Sequence, residues 1–310
     1  MTSHNEMHAL PKVEKLRFIL NTECNLRCGY CHHEGVQQRI KEYMSPVEIA
    51  EIAKIGTFFG VSKITLTGGE PLLTGSRLQD VISQLDSLKK ISEISLVTNG
   101  VLLSRYVDDL CNSGLDEVSI DVPSLDRAKY AYVTGVDCLG EVLDSIRAIV
   151  GKDLATNLNV VITKGINDSP DGIDEFISFC TKNHLNLRFI EMLAFQDNIG
   201  FYRRHFVPIS TVERQVQAIG KLRRVRRWGI RDYELNGITI KCMKCSCTGE
   251  FCSFCATSVD LFVTPDGRLK PCMMRNDNLL DISCLGEGRD RTTIMKNVFV
   301  AAIKRMGQKS

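Results

Sequence analysis

The 310-residue sequence predicts an α/β fold built on a parallel sheet. Three observations support this prediction. Near-continuous apolar runs of strand length alternate with segments of helical periodicity, the alternation includes six such runs, and polar motifs follow directly after the apolar runs. Such βα repeats form a parallel sheet covered by helices, either doubly wound or curled into a barrel. Six strands would close only part of an eight-stranded barrel.

The individual elements follow from local patterns in chain order. The first strand is predicted at residues 13–20, and the first helix begins at Pro46, after the N-cap Ser45, and runs to Phe59. The other predicted strands cover residues 63–67, 91–98, 116–121, 157–163 and 186–191. The other helices of this part are predicted at residues 78–88, 103–111, 141–150 and 171–183. In both architectures the loops after the strands converge, so we expect the functional site there.

The pattern changes at about residue 200, and we therefore predict two domains, residues 1–199 and 200–310. The second part contains a strongly basic segment at 221–227 and two hairpin signals, around Asn236-Gly237 and Asp266-Gly267. A helix at 292–306 ends the chain. The basic segment could reach a phosphate group or form a solvated face.

Charge and composition exclude some classes of partner. The 39 basic and 37 acidic side chains nearly cancel, which argues against a nucleic-acid polymer or a membrane surface as the main partner. The N-terminal residues show neither a signal peptide nor a transmembrane segment, so we expect a cytoplasmic protein. Thirteen cysteines are many for such a protein, and nine of them fall in two groups, at 24–31 and 242–272.

The first cysteine group follows the first predicted strand. Cys24, Cys28 and Cys31 have C-x3-C-x2-C spacing, which can close a loop around an iron–sulfur cluster. Such clusters normally have four ligands, so three cysteines would leave one iron open to a small molecule. A zinc site with a distant fourth ligand, or with His32 or His33, is the alternative.

This loop, together with the Gly68-Gly69-Glu70-Pro71 segment after the second strand, resembles the radical S-adenosylmethionine (radical SAM) superfamily. The resemblance implies a [4Fe-4S] cluster whose open iron binds S-adenosylmethionine, and an electron donor such as flavodoxin or ferredoxin. Two glycines let the backbone approach a ligand closely, and Glu70 can accept a hydrogen bond from the methionine ammonium group. The family pattern adds Gly69 and Ser119 as cofactor contacts. Tyr30 is expected to reach the adenine or to pack within the loop.

The second cysteine group is similar to the auxiliary-cluster region of the GTP 3′,8-cyclases of molybdenum-cofactor synthesis, the MoaA family. That resemblance implies a second [4Fe-4S] cluster held by Cys252, Cys255 and Cys272 in the C-terminal domain, with a zinc knuckle as the alternative. Three further thiols could complete this cluster, build another site or lie reduced at the surface. They are Cys242, Cys245 and Cys247.

The resemblance to the MoaA family extends over most of the chain, but several positions depart from it. Thr65 and Asn157 stand where the cyclases have an arginine and a lysine, and Val97 replaces a threonine. The arginines after the second auxiliary cysteine and the terminal twin glycine are also absent. Each lost cation removes a charge-assisted bond of about 1.5 to 3 kcal/mol to a triphosphate. Arg17, Lys63 and Arg188 persist, so we expect a small anionic substrate.

We therefore predict a radical SAM enzyme with a partial (β/α)6 barrel and a C-terminal auxiliary-cluster domain. It is expected to cleave S-adenosylmethionine reductively and to abstract hydrogen from a nucleotide-like or nucleoside-like substrate, which it rearranges or cyclises. Three alternatives stay open at this point: an authentic GTP 3′,8-cyclase, a peptide-modifying radical SAM enzyme, and a non-catalytic module that binds metal or carries electrons.

Overall fold

The structure of the chain is a computed structural model that describes residues 12–36, 38–226, 229–244, 260–282 and 291–306. Its strands form one 12-stranded sheet. They are β1 (Lys15–Ile19), β2 (Lys63–Thr67), β3 (Glu93–Thr98), β4 (Glu117–Asp121), β5 (Ala155–Val161), β6 (Asn186–Ile190), β7 (Lys221–Val225), β8 (Arg231–Leu235), β9 (Ile238–Met243), β10 (Asp260–Val263), β11 (Arg268–Lys270) and β12 (Leu280–Asp281).

The sheet has a parallel centre and antiparallel edges. Its order is β12-β11-β10-β1-β2-β3-β4-β5-β6-β9-β8-β7, and all strands from β10 to β9 pair in parallel. Each predicted hairpin joins the parallel block to an antiparallel flank. Strands β8 and β9 turn at Asn236-Gly237, and β10 and β11 turn at Asp266-Gly267. The sheet is open, with β12 and β7 as its outer strands.

Nine helices accompany the strands in the described part of the chain. They are α1 (Pro46–Gly56), α2 (Ser76–Asp86), α3 (Val107–Asn112), α4 (Arg127–Thr134), α5 (Leu139–Ile149), α6 (Pro170–Lys182), α7 (Ile199–His205), α8 (Ser210–Ile219) and α9 (Arg291–Arg305). The predicted start of α1 is confirmed, since Ser45 and Glu48 form a capping box. The C-terminal helix packs back onto the N-terminal half, where Phe299 stacks on Phe59 with ring centroids 5.3 Å apart.

The two faces of the sheet differ in polarity. In β2, Ile64 and Leu66 are fully buried in the hydrophobic core, whereas Lys63, Thr65 and Thr67 line a cavity on the other face. The same alternation recurs in the other parallel strands, where Ser95 and Val97 of β3 and Glu117, Ser119 and Asp121 of β4 also line the cavity. Since side chains from β10 at one end of the parallel block and β9 at the other line the same cavity, the sheet curves around it as a partial barrel.

All six strands predicted in the first part of the chain are confirmed, and the predicted partial barrel is confirmed in its α/β architecture. Local sequence patterns did not predict α4, α7 or α8, or that β10 and β9 extend the parallel block beyond β1 and β6. The predicted domain boundary at residue 199 stays a prediction, although β7 to β12 join the same sheet as β1 to β6. No helix in the described ranges is long and apolar enough to cross a membrane.

Candidate active site

The cysteine loop leaves β1 at the edge of the cavity and is held by backbone hydrogen bonds to α4. The N–H groups of Arg27 and Gly29 donate to the carbonyl oxygens of Thr134 and Val133, each at 2.8 Å. A methyl group on Gly29 would lie 2.3 Å from the ring of Phe201 in α7, so this glycine allows close contact between loop and helix. Two of the helices that local patterns did not predict, α4 and α7, therefore support the loop.

Cys24, Cys28 and Cys31 all line the cavity. Burial raises the pKa of all three thiols, and that of Cys31 reaches about 11. The pKa of Cys28 is raised further by the negative charge that Cys24 and Cys31 carry when they are ionised. Backbone N–H groups of Leu26 and His33 point at Cys24 Sγ and Cys31 Sγ, both at 3.4 Å. The three thiols therefore hold their protons in the protein alone, and metal binding would release them.

Tyr30 lies inside this loop with its side chain toward Cys28. A hydrogen bond from the Tyr30 hydroxyl partly offsets the rise in the pKa of Cys28. The backbone carbonyl oxygen of Tyr30 accepts a hydrogen bond from Asn198 Nδ2 at 2.9 Å. Tyr30 lines the cavity, so packing within the loop and contact with a bound adenine are both compatible with its position.

Asn21, two residues after β1, joins the cysteine loop to the glycine segment. Its Nδ2 donates to the carbonyl oxygen of Glu70 at 2.8 Å, and its Oδ1 accepts from the N–H of Gly69 at 3.0 Å. Methyl groups on Gly68 and Gly69 would lie 2.6 Å from Asn21 Oδ1 and 2.0 Å from the Glu23 carbonyl oxygen. The two glycines thus allow close packing against Asn21 and the Glu23 backbone, and their expected contact with a ligand in the cavity stays a prediction.

Glu70 lies behind the cavity wall, where it is 1% exposed. Its carboxylate accepts hydrogen bonds from Thr98 Oγ1 at 2.7 Å and from the N–H groups of Asn99 at 2.8 Å and Leu72 at 3.0 Å. Burial raises the pKa of Glu70 to about 7, against the effect of these three donors. The carboxylate thus positions the Thr98-Asn99 turn, and the expected contact of Glu70 with the methionine ammonium group stays a prediction. Asn99 itself reaches the cavity and donates to Asn25 Oδ1 at 2.8 Å.

The cavity has a volume of about 830 Å³ and gathers most of the predicted site residues. Those that line it are Cys24, Cys28, Cys31, Tyr30, Gly68, Gly69, Ser119, Arg17, Lys63 and Arg188. Glu70 is not among the lining residues, and neither is Cys272. A cavity of this size is typical of small-molecule sites.

The three predicted substrate-binding cations are each paired with a carboxylate. Arg17 binds Glu34 at 2.8 Å, Lys63 binds Glu93 at 2.5 Å, and Arg188 binds Glu117 at 2.8 Å. Arg188 Nη1 also donates to Ser119 Oγ at 2.8 Å, so this predicted cofactor contact is already engaged by an arginine. The cations are therefore held in place within the cavity, and none of the three is a free charge.

Sequence reasoning did not single out three further charged residues of the cavity. Glu34 is buried at a φ of 51°, and its Oε2 has no hydrogen-bond partner in the described part of the chain. Burial raises the pKa of Asp121 to about 6, against a 2.8 Å hydrogen bond from Asn159. Lys241 projects into the cavity from β9. The alternation of polar residues in these strands, as in Glu117 and Asp121 with Ser119 between them, was the available signal.

The second cysteine group is only partly within the described residues. Cys245, Cys247, Cys252 and Cys255 lie outside the described residues. Cys242 is 2% exposed in the hydrophobic core, on the face of β9 opposite to Lys241, and this position does not favour it as a cluster ligand. The Cys272 segment packs against the cysteine loop, since a methyl group on Gly35 would lie 1.9 Å from the carbonyl oxygen of Met273.

The donor set fits an iron–sulfur cluster with S-adenosylmethionine beside it. Three thiols from one loop face a cavity that also contains the glycine segment and the Asn99 turn. In a cluster each thiolate binds a separate iron, which leaves the remaining iron for a ligand in the cavity. Among the described residues, no three His, Cys, Asp or Glu side chains are arranged around a single metal ion.

Comparison with known proteins identifies the family. A model described as Radical SAM superfamily matches residues 18–180, which is more than half of the chain. A protein of Methanocella arvoryzae named "probable GTP 3′,8-cyclase" is 32% identical over 93% of this chain and 90% of its own length. The chain is a MoaA-like member of the radical SAM superfamily. A second relative of the same name, from Archaeoglobus fulgidus, is 35% identical over 86% of this chain and 88% of that protein.

Two solved structures share the fold. The structure titled "Native anSMEcpe with bound AdoMet" has a TM-score of 0.64 at 18% identity and covers 95% of this chain and 84% of that chain. Streptococcus suis SuiB bound to S-adenosylmethionine has a TM-score of 0.66 at 17% identity over 86% of this chain. This chain spans 62% of the length of SuiB.

Membership of the radical SAM superfamily confirms the predicted enzyme class and cofactors. The chain is a radical SAM enzyme, and its cofactors are a [4Fe-4S] cluster and S-adenosylmethionine. The alternative of a non-catalytic module is therefore not supported. The substrate of a MoaA-like radical SAM enzyme is a small molecule.

Proposed function

We propose that Cys24, Cys28 and Cys31 hold the radical-generating cluster and that the enzyme acts on a small anionic, nucleotide-like or nucleoside-like substrate in the cavity of about 830 Å³. The observation that carries this proposal is the shared cavity. The three thiols, the glycine segment and three arginine or lysine side chains all face it, so cofactor and substrate would be neighbours. When bound and reduced, the cluster supplies the electron that splits S-adenosylmethionine into methionine and a 5′-deoxyadenosyl radical, which abstracts hydrogen from the substrate.

The roles of the surrounding residues follow from their positions. Gly68 and Gly69 form the wall beside Cys24, and Ser119 lies across the cavity on β4, so these three residues would contact the cofactor. Tyr30 would meet the adenine. Glu70 would act as a positioning residue, because its carboxylate fixes the turn that carries Asn99 and does not reach the cavity.

The charged side chains of the cavity support an anionic substrate. Arg17, Lys63 and Arg188 lie on β1, β2 and β6 and would surround a ligand in the centre of the curved sheet. Their carboxylate partners hold them in fixed positions, which reduces the entropy cost of ordering three long side chains when the ligand binds.

The experiment is the Cys28→Ala variant, reconstituted anaerobically with iron and sulfide and reduced with dithionite. We expect it to form no 5′-deoxyadenosine from S-adenosylmethionine. The matched control is Cys111→Ala, which removes a thiol at the end of α3, away from the cavity. Deoxyadenosine formation by the Cys28→Ala variant at the rate of the wild type would overturn the assignment of the cluster.

A second candidate function is the GTP 3′,8-cyclase reaction itself. It is favoured by relatives of that name that are 32% to 35% identical and that align over 86% to 93% of this chain. Against it stand Thr65 and Asn157, where the resemblance predicts cations. In the structure, the Thr65 hydroxyl pairs with Ser95 at 2.9 Å, and Asn157 Nδ2 donates to the Val118 carbonyl oxygen at 3.5 Å. Incubation of the reduced enzyme with GTP distinguishes the two candidates, since the cyclised product would identify a cyclase.

The proposal has three further elements. We place a second [4Fe-4S] cluster on Cys252, Cys255 and Cys272, in a C-terminal domain of residues 200–310 that follows the radical SAM core of residues 1–199. A flavodoxin or ferredoxin would deliver the electron. A cytoplasmic location would provide such a donor together with reduced thiols.

A further inference from the structure

An aromatic cluster outside the cavity connects the cysteine loop to the protein surface. The ring of Phe201 packs on Gly29, where a methyl group would lie 2.3 Å from it. Phe201 and His205 have ring centroids 4.5 Å apart, and Tyr132 lies 5.7 Å from the ring of His205 and 6.4 Å from that of Phe201. Tyr132 is 53% exposed. A continuous run of ring contacts thus leads from solvent to the residue that follows Cys28.

Tyr132 is held in place although it is exposed. Its hydroxyl is hydrogen-bonded to Nε2 of His205 at 3.0 Å, and Nδ1 of His205 lies 3.0 Å from the carbonyl oxygen of Lys164. Because a carbonyl oxygen only accepts, Nδ1 donates to it, and Nε2 of the neutral ring accepts from the tyrosine hydroxyl. An aromatic side chain that is already ordered loses little conformational entropy when a partner covers it.

Three cations without partners lie around this aromatic cluster. A methyl group on Gly135, at the C-terminal end of α4, would lie 3.3 Å from Cβ of Arg27 in the cysteine loop. On the other side, the N–H of Lys164 donates to the carbonyl oxygen of His205 at 2.7 Å, and Arg204 precedes His205 in α7. The side chains of Arg27, Lys164 and Arg204 are exposed and make no hydrogen bond or ion pair within the described ranges.

The nearby carboxylates do not cancel these charges. Asp137 is bound by Arg127 at 2.9 Å, and Asp126 accepts from the N–H of Lys129 at the start of α4. Asp197, two residues before α7, is exposed and offsets one cation. This surface therefore keeps an excess of positive charge, although the formal net charge of the whole chain is only +2.

We propose that this surface, the α4–α7 face, binds an acidic electron-transfer protein that reduces the radical-generating cluster. The face consists of Arg27, Tyr132, Val136, Lys164 and Arg204. The proposal rests on the proposed function, because reductive cleavage of S-adenosylmethionine needs one electron from outside the chain. The reduced cofactor of the donor protein loses one electron and the cluster gains it, without transfer of a proton.

The composition of the α4–α7 face fits such a partner. Tyrosine and arginine are over-represented among the residues that dominate the binding energy of protein interfaces. Complementary charge would steer an acidic donor to the three exposed cations. None of the residues of the face lines the cavity, so a donor bound there would not compete with ligands inside it. The ring contacts would place that donor against side chains that pack directly on the cysteine loop.

The test measures binding of flavodoxin, an acidic flavin protein, to the reconstituted full-length enzyme by calorimetric titration at low ionic strength. We expect Arg27→Glu and Arg204→Glu each to raise the Kd about 10-fold, because each replaces attraction by repulsion. Added salt should reduce this difference. The matched control is Lys89→Glu, which reverses an exposed charge just before β3, at the sheet edge opposite to the cysteine loop, and should leave the Kd unchanged.

The aromatic ring is tested separately from the charges. Tyr132→Ala should weaken flavodoxin binding about 10-fold, whereas Tyr132→Phe keeps the ring and should retain most of the affinity. Wild-type affinity in Arg27→Glu, Arg204→Glu and Tyr132→Ala, or an equal loss of affinity in Lys89→Glu, would overturn the proposal.

A comparison of two reductants shows whether a failure concerns the docking face or the proposed function. Cleavage of S-adenosylmethionine by the wild type and by Arg204→Glu is driven either by reduced flavodoxin or by dithionite, which needs no docking surface. We expect Arg204→Glu to lose rate only with limiting flavodoxin. An equal loss with dithionite, or wild-type kinetics with flavodoxin, would overturn the docking face alone. Absence of cleavage by the wild type with dithionite, in a preparation with intact clusters, would overturn the proposed function.

Discussion

A methyl group on Gly69 would lie 2.0 Å from the carbonyl oxygen of Glu23, well inside van der Waals contact. The glycine segment and the entrance of the cysteine loop are therefore packed backbone against backbone. The contact is reinforced by the hydrogen bond from the Glu70 N–H to the same carbonyl group. Any side chain at position 69 must displace one of the two loops.

The Gly69→Ala variant should lose about 1 to 3 kcal/mol of stability and bind less iron after reconstitution, because the methyl group pushes the cysteine loop away. Thermal unfolding and iron content per chain measure the two effects. Gly140→Ala in α5 is the control, since a methyl group there meets nothing within 4 Å. A Gly69→Ala protein with wild-type stability and iron content would contradict the close contact.

The Glu70→Gln variant should weaken the binding of S-adenosylmethionine without removing a cavity-lining group. Its amide nitrogen cannot accept from Thr98, Asn99 or Leu72, so a buried donor loses its acceptor at a cost of about 1 to 3 kcal/mol. The Asn99 turn should loosen, which calorimetric titration with S-adenosylmethionine detects. Glu175→Gln, on the exposed surface of α6, is the control. Unchanged affinity in Glu70→Gln would show that this carboxylate does not position the site.

The ion pair of Arg188 and Glu117 should make stability depend on pH. Burial opposes ionisation of Glu117, but the Arg188 guanidinium outweighs it and lowers the pKa of Glu117 below its ordinary 4.5. Glu117 therefore contributes stability that is present above about pH 4.5 and is lost as the pH falls through its folded pKa.

The Glu117→Gln variant should be less stable than the wild type by about 1 to 3 kcal/mol at pH 7, and the difference should shrink below pH 4.5. Chemical denaturation across this range is the measurement. Glu234→Gln removes an exposed partner of Arg223 and should cost at most about 1 kcal/mol. A difference between Glu117→Gln and wild type that does not vary with pH would rule out the ion pair as its cause.

The Cys272→Ala variant should bind about half of the iron of the wild type, falling from about eight to about four ions per chain when the second cluster is lost. Cys242→Ala should keep the full amount, because Cys242 lies in the hydrophobic core on the face of β9 away from the cavity. Iron and sulfide analysis of anaerobically reconstituted protein checks both. Equal losses in the two variants would contradict the distinction between these thiols.

The strands of the first part could be predicted because each has its own local signal. Residues 63–67 are a short apolar run between turns, and β2 has the same bounds. Helix α4 gave no such signal, since few of its eight residues are buried and its support comes from contacts with the cysteine loop. The pairing of β10 with β1 joins residues about 245 positions apart, as Lys15 and Asp260 do, and no local pattern encodes such a distance.

The candidate site was also predictable only where a local sequence pattern defines it. The spacing of Cys24, Cys28 and Cys31 is a local pattern, and the structure brings the three thiols to one cavity. The position of Glu70 behind the wall depends on the Thr98-Asn99 turn, which comes from a different strand. Lys241 could not be distinguished from an ordinary surface lysine until β9 was seen to pair with β6.

Asn21 orders the cysteine loop and the glycine segment before any cofactor binds. Its amide group fixes the glycine segment relative to the cysteine loop through contacts made within the protein itself. The conformational entropy of these two loops is therefore lost during folding and not when the cofactors arrive. The site would accordingly be preorganised for iron and sulfide. Cluster assembly would require the release of protons from the thiols more than a rearrangement of the chain.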